Sequence, residues 1–228
     1  MQLPASKTPI ARCIQLALYA HRMLGKFTKN PTLVALAHKM LTTQQALADA
    51  QTAYLHAVNA IIFARVDVKY ADYAADNGVR MAKRGAELAD GKASGPIANA
   101  LMPGGVTPII KPVGATQVKE MRDLEGRYDA LAASWGDAHA EKAKITALRT
   151  QYEAALEARR AAGQKASDLR AARNLIKEDF LNVYAEIGSR VRAEFPRDRP
   201  MQDLFFDDVA TDDADDGDDA TDEAPPAN

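Results

Sequence analysis

The chain is poor in the residues that most often carry chemistry. It has one cysteine, Cys13, and four histidines among 228 residues. A single cysteine excludes an intramolecular disulfide and a cysteine-rich zinc site. Aromatic residues make up only 6% of the sequence, and much of the apolar share is alanine, a composition that suits close-packed helices better than a thick sheet core. No window approaches the roughly 20 apolar residues that a membrane-spanning helix needs.

The sequence also lacks the short motifs that mark common active sites. A Walker phosphate loop, a dinucleotide fingerprint, a nucleophile elbow and a zinc-binding HExxH motif are all missing. Asp137, His139 and Glu141 stand two residues apart, but on a helix such residues point in different directions and cannot share a metal. We therefore expect no catalytic residue, no bound metal and no cofactor, and a protein that is not an enzyme.

Charge of one sign is missing from the C-terminal end. Residues 203–228 contain eleven of the 31 acidic residues and no Lys or Arg, so residues 1–202 hold 29 basic residues against 20 acidic ones. Residues 210–228 have no apolar periodicity, and their dense like charge predicts a disordered acidic tail. The tail can act as a solubiliser, screen the basic surface of the same chain or recruit a basic partner.

The N-terminal segment has the features of a mature amphipathic helix. Its apolar stretch, residues 13–20, is short, contains Gln15 and is followed by two basic or titratable residues, which is not the pattern of a signal peptide. Thr8-Pro9 predicts the start of this helix and Gly25 its end. With one cysteine and no predicted membrane span, a cytoplasmic location is expected.

Two long helical tracts fill most of the chain. The first follows Asn30-Pro31 and carries Leu47, Tyr54, Ile61 and Val68 at intervals of seven. A single helix of this length would span about 90 Å at 1.5 Å per residue, so a break or kink in residues 46–59 is expected. The alternative is one uninterrupted helix.

The second tract begins near Thr116 and ends at Pro196. Apolar residues recur every three or four positions along it, and the glycine-containing stretch around Gly163 predicts a turn between two antiparallel helices. Residues 70–81 also align with residues 180–191 without a gap, through Ala, Gly and Arg identities. This weak similarity is compatible with an internal duplication of helical hairpins or with shared composition alone.

Between the tracts lies a glycine- and proline-rich connector, residues 91–116, with five glycines and four prolines. These residues predict that no long helix runs through it, and the prolines predict an extended backbone over residues 108–112. The overall expectation is an all-α fold: an elongated antiparallel bundle of about four long helices plus a short N-terminal one. Residues 1–209 would form one domain, with halves 31–91 and 117–195 joined by the connector.

Two apolar segments have no obvious partner in the bundle. The connector segment can pack on its own chain or on a neighbouring subunit, and the LFF segment near residue 205 can cap the bundle end or bind another protein. The candidate assembly contacts are Val106, Ile109, Ile110, Val113, Leu204, Phe205 and Phe206.

The sequence favours a non-enzymatic structural or interaction protein that self-associates or binds another protein. An alternative is a regulator that binds nucleic acid or another acidic partner through a basic tip at the expected hairpin turn, gated by the acidic tail. Acidic residues in the same stretch and a lack of aromatic residues make an ordinary solvated surface the plainer explanation. The candidate basic patch consists of Arg149, Arg159, Arg160, Lys165, Arg170 and Arg173.

Overall fold

The computed structural model describes residues 3–209, and these residues form helices without any strand. The predicted all-α class is therefore confirmed. In chain order the helices are α1 (Ile10–Leu24), α2 (Pro31–Asp90), α3 (Pro96–Leu101), α4 (Thr107–Ile110), α5 (Ala115–Leu131), α6 (Ala138–Glu194) and α7 (Arg199–Leu204). In this part of the chain no helix combines the length and the apolar character that crossing a membrane requires. The acidic tail expected at 210–228 lies outside the described residues.

The chain divides into two compact units. Unit 1 contains the described residues up to Leu55 and those from Asp168 onward, and unit 2 contains His56–Ser167. Helices α2 and α6 each contribute residues to both units. The prediction of one domain over residues 1–209 stays a prediction.

Unit 1 is a helical bundle whose core includes Phe205 and Phe206, the residues that follow the short helix α7. Its core joins Leu16 and Leu24 of α1, Met40 of α2 and Tyr184 of α6, all fully buried. The start of α2 follows the cap that the sequence predicts, since the Asn30 side-chain oxygen accepts a hydrogen bond from the Leu33 amide at 3.2 Å. The end of α1 at Gly25 and the end of α6 before Pro196 are also as expected.

Unit 2 packs α3, α4 and α5 against parts of α2 and α6. Small residues of α2, among them Ala75 and Ala82, face larger buried side chains such as Leu101, Tyr128 and Tyr152. Helix α3 is tied to the end of α2, because the Asp90 carboxylate accepts hydrogen bonds from the amides of residues 97 and 98 at 3.0 and 2.8 Å. The prediction that no long helix crosses the connector is confirmed, but residues 108–110 are helical rather than extended.

The expected breaks in the long tracts are wrong. Helix α2 runs through residues 46–59 without interruption, and in its middle Tyr54 and Gln51 contact Arg173 of α6, which gives this stretch a tertiary partner. Helix α6 continues through Gly163, which is tolerated because one glycine costs a helix only about 1 kcal/mol. The described residues thus contain two long helices, of 60 and 57 residues, rather than four.

The turn in the second tract lies earlier than expected. It occupies residues 132–137, where Trp135 is buried and the Ser134 amide donates to the Leu131 carbonyl at 2.9 Å. The spacing of apolar residues along this tract predicts one continuous helix face that includes Trp135 and Ala138. Both side chains are buried, but Trp135 lies in the turn and Ala138 begins α6. Their spacing of three residues therefore matches a helical period although no helix joins them.

Candidate interaction surface

Helix α2 carries a row of large apolar side chains that point away from the core of unit 2. Their exposed fractions range from 50% for Ile62 to 72% for Tyr70. At 100° per residue they fall within about 100° of arc on one face of the helix. We call this row the α2 stripe, and it comprises Ile62, Phe63, Val66, Tyr70, Tyr73 and Met81.

The opposite face of α2 is the one that packs on unit 2. It is lined by small side chains, including Ala64, Ala75, Val79, Ala82 and Ala86, all of them buried. Alanines allow the backbone of α2 to lie close to its neighbours, and they leave the bulky side chains on the other face. Because large exposed apolar patches mark interaction sites, the α2 stripe is the surface of unit 2 with the features of a binding face.

A polar network on the flank of α2 holds the helix against the rest of unit 2. The Tyr152 hydroxyl donates to Asp72 Oδ1 at 3.0 Å and accepts from the Gly114 amide at 2.8 Å. Gln117 Nε2 donates to Asp76 Oδ1 at 2.7 Å. Gly114 has a φ of 65°, a backbone conformation in which glycine avoids the strain that a side chain would add.

Burial changes the titration of this network. It is the main cause that raises the pKa of Tyr152 to about 12 and also the pKa of Asp76. Tyr152 therefore stays a neutral hydrogen-bond donor at physiological pH. The network connects α2, α5 and α6, so it fixes the direction in which the α2 stripe faces.

The predicted assembly contacts divide into buried and exposed residues. Ile109, Phe205 and Phe206 are buried within their own units and present almost no surface to a second chain. Phe205 lies 4.9 Å from Phe27, centroid to centroid, so the LFF segment caps the bundle of unit 1. Val106 and Ile110 are half-buried. Only Val113, 70% exposed, and Leu204, 51% exposed, remain at the surface.

The candidate basic patch does not form a tip, because its residues lie along the uninterrupted helix α6. Arg149 Nε lies 2.6 Å from Glu125, and Arg160 Nη2 lies 2.7 Å from Glu157. Arg173 is buried, with its guanidinium carbon 4.2 Å from the Tyr54 ring centroid. Arg159, Lys165 and Arg170 complete the patch on the same helix. The structure therefore does not gather these six residues at a helix-hairpin end.

The two segments that align in sequence, residues 70–81 and 180–191, differ in which of their side chains are buried. Tyr70 is exposed, whereas the residue aligned with it, Phe180, is fully buried.

An open cleft of about 580 Å³ lies at the connector and is lined by Gly104, Thr107, Pro108, Lys111 and Pro112. Among the residues that the structure describes, no group of three or more His, Cys, Asp or Glu side chains is placed to hold a metal ion.

The α2 stripe was not predicted from the sequence. The recurrence of apolar residues at intervals of seven from Leu47 to Val68 predicts a single apolar row along α2. A second row was nevertheless visible, since residues 62, 66, 70 and 73 recur at spacings of four, four and three. A helix with two apolar faces needs a partner on each of them.

Comparisons with protein-family models, with curated proteins and with solved structures found no match.

Proposed function

We propose that this chain is a non-enzymatic structural and interaction protein that self-associates through the α2 stripe, and that it works in the cytoplasm. The observation that carries the proposal is the set of six large apolar side chains, each at least half exposed, on one face of a single helix. Isolated exposed apolar residues are ordinary on protein surfaces, but a contiguous row of this kind is not.

The exposed aromatic area of the stripe is a large part of what a specific interface buries. With about 150–250 Å² for each aromatic side chain, Phe63, Tyr70 and Tyr73 offer roughly 300–500 Å² at their exposed fractions. A standard protein interface buries about 800 Å² per partner, so these three rings alone would supply roughly half of it. Aromatic residues are also the ones that most often dominate binding energy at such interfaces, and the stripe holds three of them.

A second copy of the same chain is the partner that the stripe fits. Two identical apolar helix faces can bury each other without any further partner. Symmetric homodimers are also the commonest soluble assemblies. The chain has a mass of 24.7 kDa, so light scattering coupled to size-exclusion chromatography should give twice that mass at micromolar concentration.

The double substitution Phe63→Ser/Tyr70→Ser should weaken self-association by at least about 30-fold, because the loss of an aromatic hot spot costs 2 kcal/mol or more. The matched control is Leu175→Ser. Leu175 is a 63% exposed apolar side chain on α6, outside the stripe, and its loss should leave the mass unchanged. A wild-type chain that remains monomeric at high concentration would overturn the proposal.

A further inference from the structure

Charged residues flank the α2 stripe differently on its two sides. Arg65 and Lys69 lie on one edge and Asp67 on the other, and all three are exposed. At 100° per residue, Lys69 and Asp67 each lie about 80° from the middle of the stripe, on opposite sides. Over residues 62–73 the stripe therefore has two basic residues on one edge and one acidic residue on the other.

The orientation of a paired helix decides which edges meet. In a parallel pair, the twofold axis runs along the helices and brings the basic edge of one copy beside the opposite edge of the other. Lys69 then lies near the partner's Asp67. In an antiparallel pair, the twofold axis is perpendicular to the helices and like edges meet, so that Arg65 and Lys69 face the partner's Arg65 and the partner's Lys69.

We infer that two copies of this chain pair through α2 in parallel and in register, an inference that rests on the proposed self-association. The charges favour this orientation because it places opposite charges beside each other, whereas the antiparallel pair gathers four positive charges along one edge.

Two asparagines mark the centre of the interface. Asn59 and Asn77 are exposed and lie in the middle of the stripe face, about five helical turns apart. In the parallel register each of them meets its own counterpart. A side-chain amide both donates and accepts hydrogen bonds, so two facing asparagines satisfy each other and oppose slippage of the register.

Single cysteine substitutions at these positions distinguish the two orientations. The native Cys13 is fully buried and does not compete for the oxidant. In a parallel pair, Asn59→Cys alone and Asn77→Cys alone should each form a disulfide-linked dimer under mild oxidation, read on a non-reducing gel. In an antiparallel pair of matching register neither variant links by itself, and only a mixture of the two does. Leu175→Cys, exposed and outside the stripe, controls for random collision.

The result also separates this inference from the proposed function. Cross-linking only in the mixture, with light scattering still at twice the chain mass, would overturn the parallel pairing and leave self-association standing. A monomeric chain would overturn both.

Charge reversal provides a second readout that involves no cysteine. Lys69→Glu should weaken the wild-type dimer about two- to fivefold, the range that exposed ion pairs contribute, because it places two acidic groups side by side. Adding Asp67→Lys to that variant should restore the affinity. An unchanged affinity for Lys69→Glu would contradict the parallel arrangement.

Discussion

Replacing Phe205 by alanine should destabilise unit 1 strongly. The ring is fully buried and packs between two other aromatic rings, 4.9 Å from Phe27 and 5.5 Å from Phe195. Removing a buried Phe side chain costs about 3–5 kcal/mol, the sum of lost burial and the cavity that remains. With a urea m-value of about 2–3 kcal/mol/M, the midpoint of unfolding should fall by roughly 1–2 M.

The neighbouring residue provides the control. Leu204 is 51% exposed, and its replacement by alanine should change the free energy of unfolding by less than about 1 kcal/mol. Far-UV circular dichroism follows the loss of helix in urea. Because the single tryptophan, Trp135, lies in unit 2, its fluorescence separately reports the unfolding of that unit.

This experiment decides between the two sequence-based interpretations of the LFF segment. If Phe205 caps the bundle, Phe205→Ala lowers the urea midpoint at every protein concentration. If Phe205 served instead to bind another molecule, the variant would unfold like Leu204→Ala and would show a lower assembly mass. The second outcome would refute the packing described for unit 1.

Two further predictions concern the polar network beside α2. Tyr152→Phe removes the hydroxyl that donates to Asp72 and should lower the free energy of unfolding by about 1–3 kcal/mol, read from Trp135 fluorescence in urea. Tyr19→Phe in unit 1, which loses a longer, exposed bond of 3.3 Å, should lower the free energy of unfolding less, read from far-UV circular dichroism in urea. Burial raises the pKa of Asp76 above its unfolded value, so the stability contributed by its protonated form is present at acidic pH and lost as pH rises through the folded pKa. The measurement is urea denaturation of the wild type and of Asp76→Asn between pH 4 and 7. The free energy of unfolding of the wild type should rise relative to that of the variant as pH falls. An opposite trend would contradict the burial of this carboxyl.

Local signals in the sequence predicted the helix ends well. Asn30-Pro31, Gly25 and Pro196 act through the backbone of their own neighbourhood, and the structure confirms each boundary. The all-α class followed from the same kind of information, the spacing of apolar residues. These features do not depend on which distant residue packs where.

Interior breaks could not be predicted in the same way. Gly163 is a weak helix breaker, and a helix continues through such a residue when its neighbours on both sides are strongly helical. The real turn contains Trp135, a large apolar residue that looks like part of a helix face until its tertiary contacts are known. Helix propensity does not distinguish the continuous helix at Gly163 from the turn at Trp135, because tertiary packing decides between helix and turn at both places.

The candidate surface could be predicted only in part. Exposure of Tyr70 and Phe63 depends on which of two apolar faces of α2 meets unit 2, and the alanines on the other face settle this through close packing. Sequence alone shows both faces as apolar. The connector and LFF residues were chosen instead because they lacked an obvious partner, and most of them find one within their own unit.

The division of the chain has a consequence for its synthesis on the ribosome. Unit 2 is one continuous segment, His56–Ser167, and its contacts are available as soon as that segment has emerged. Unit 1 instead joins the first part of the chain to residues from Asp168 onward. The core contacts of α1 with α6 and Phe205 can therefore form only after those later residues have been synthesised. Contacts between distant parts of a sequence form late and slowly. Nascent chains stalled before residue 205 should therefore hold a folded unit 2 and an unfinished unit 1, which keeps its apolar helices available to chaperones until translation ends.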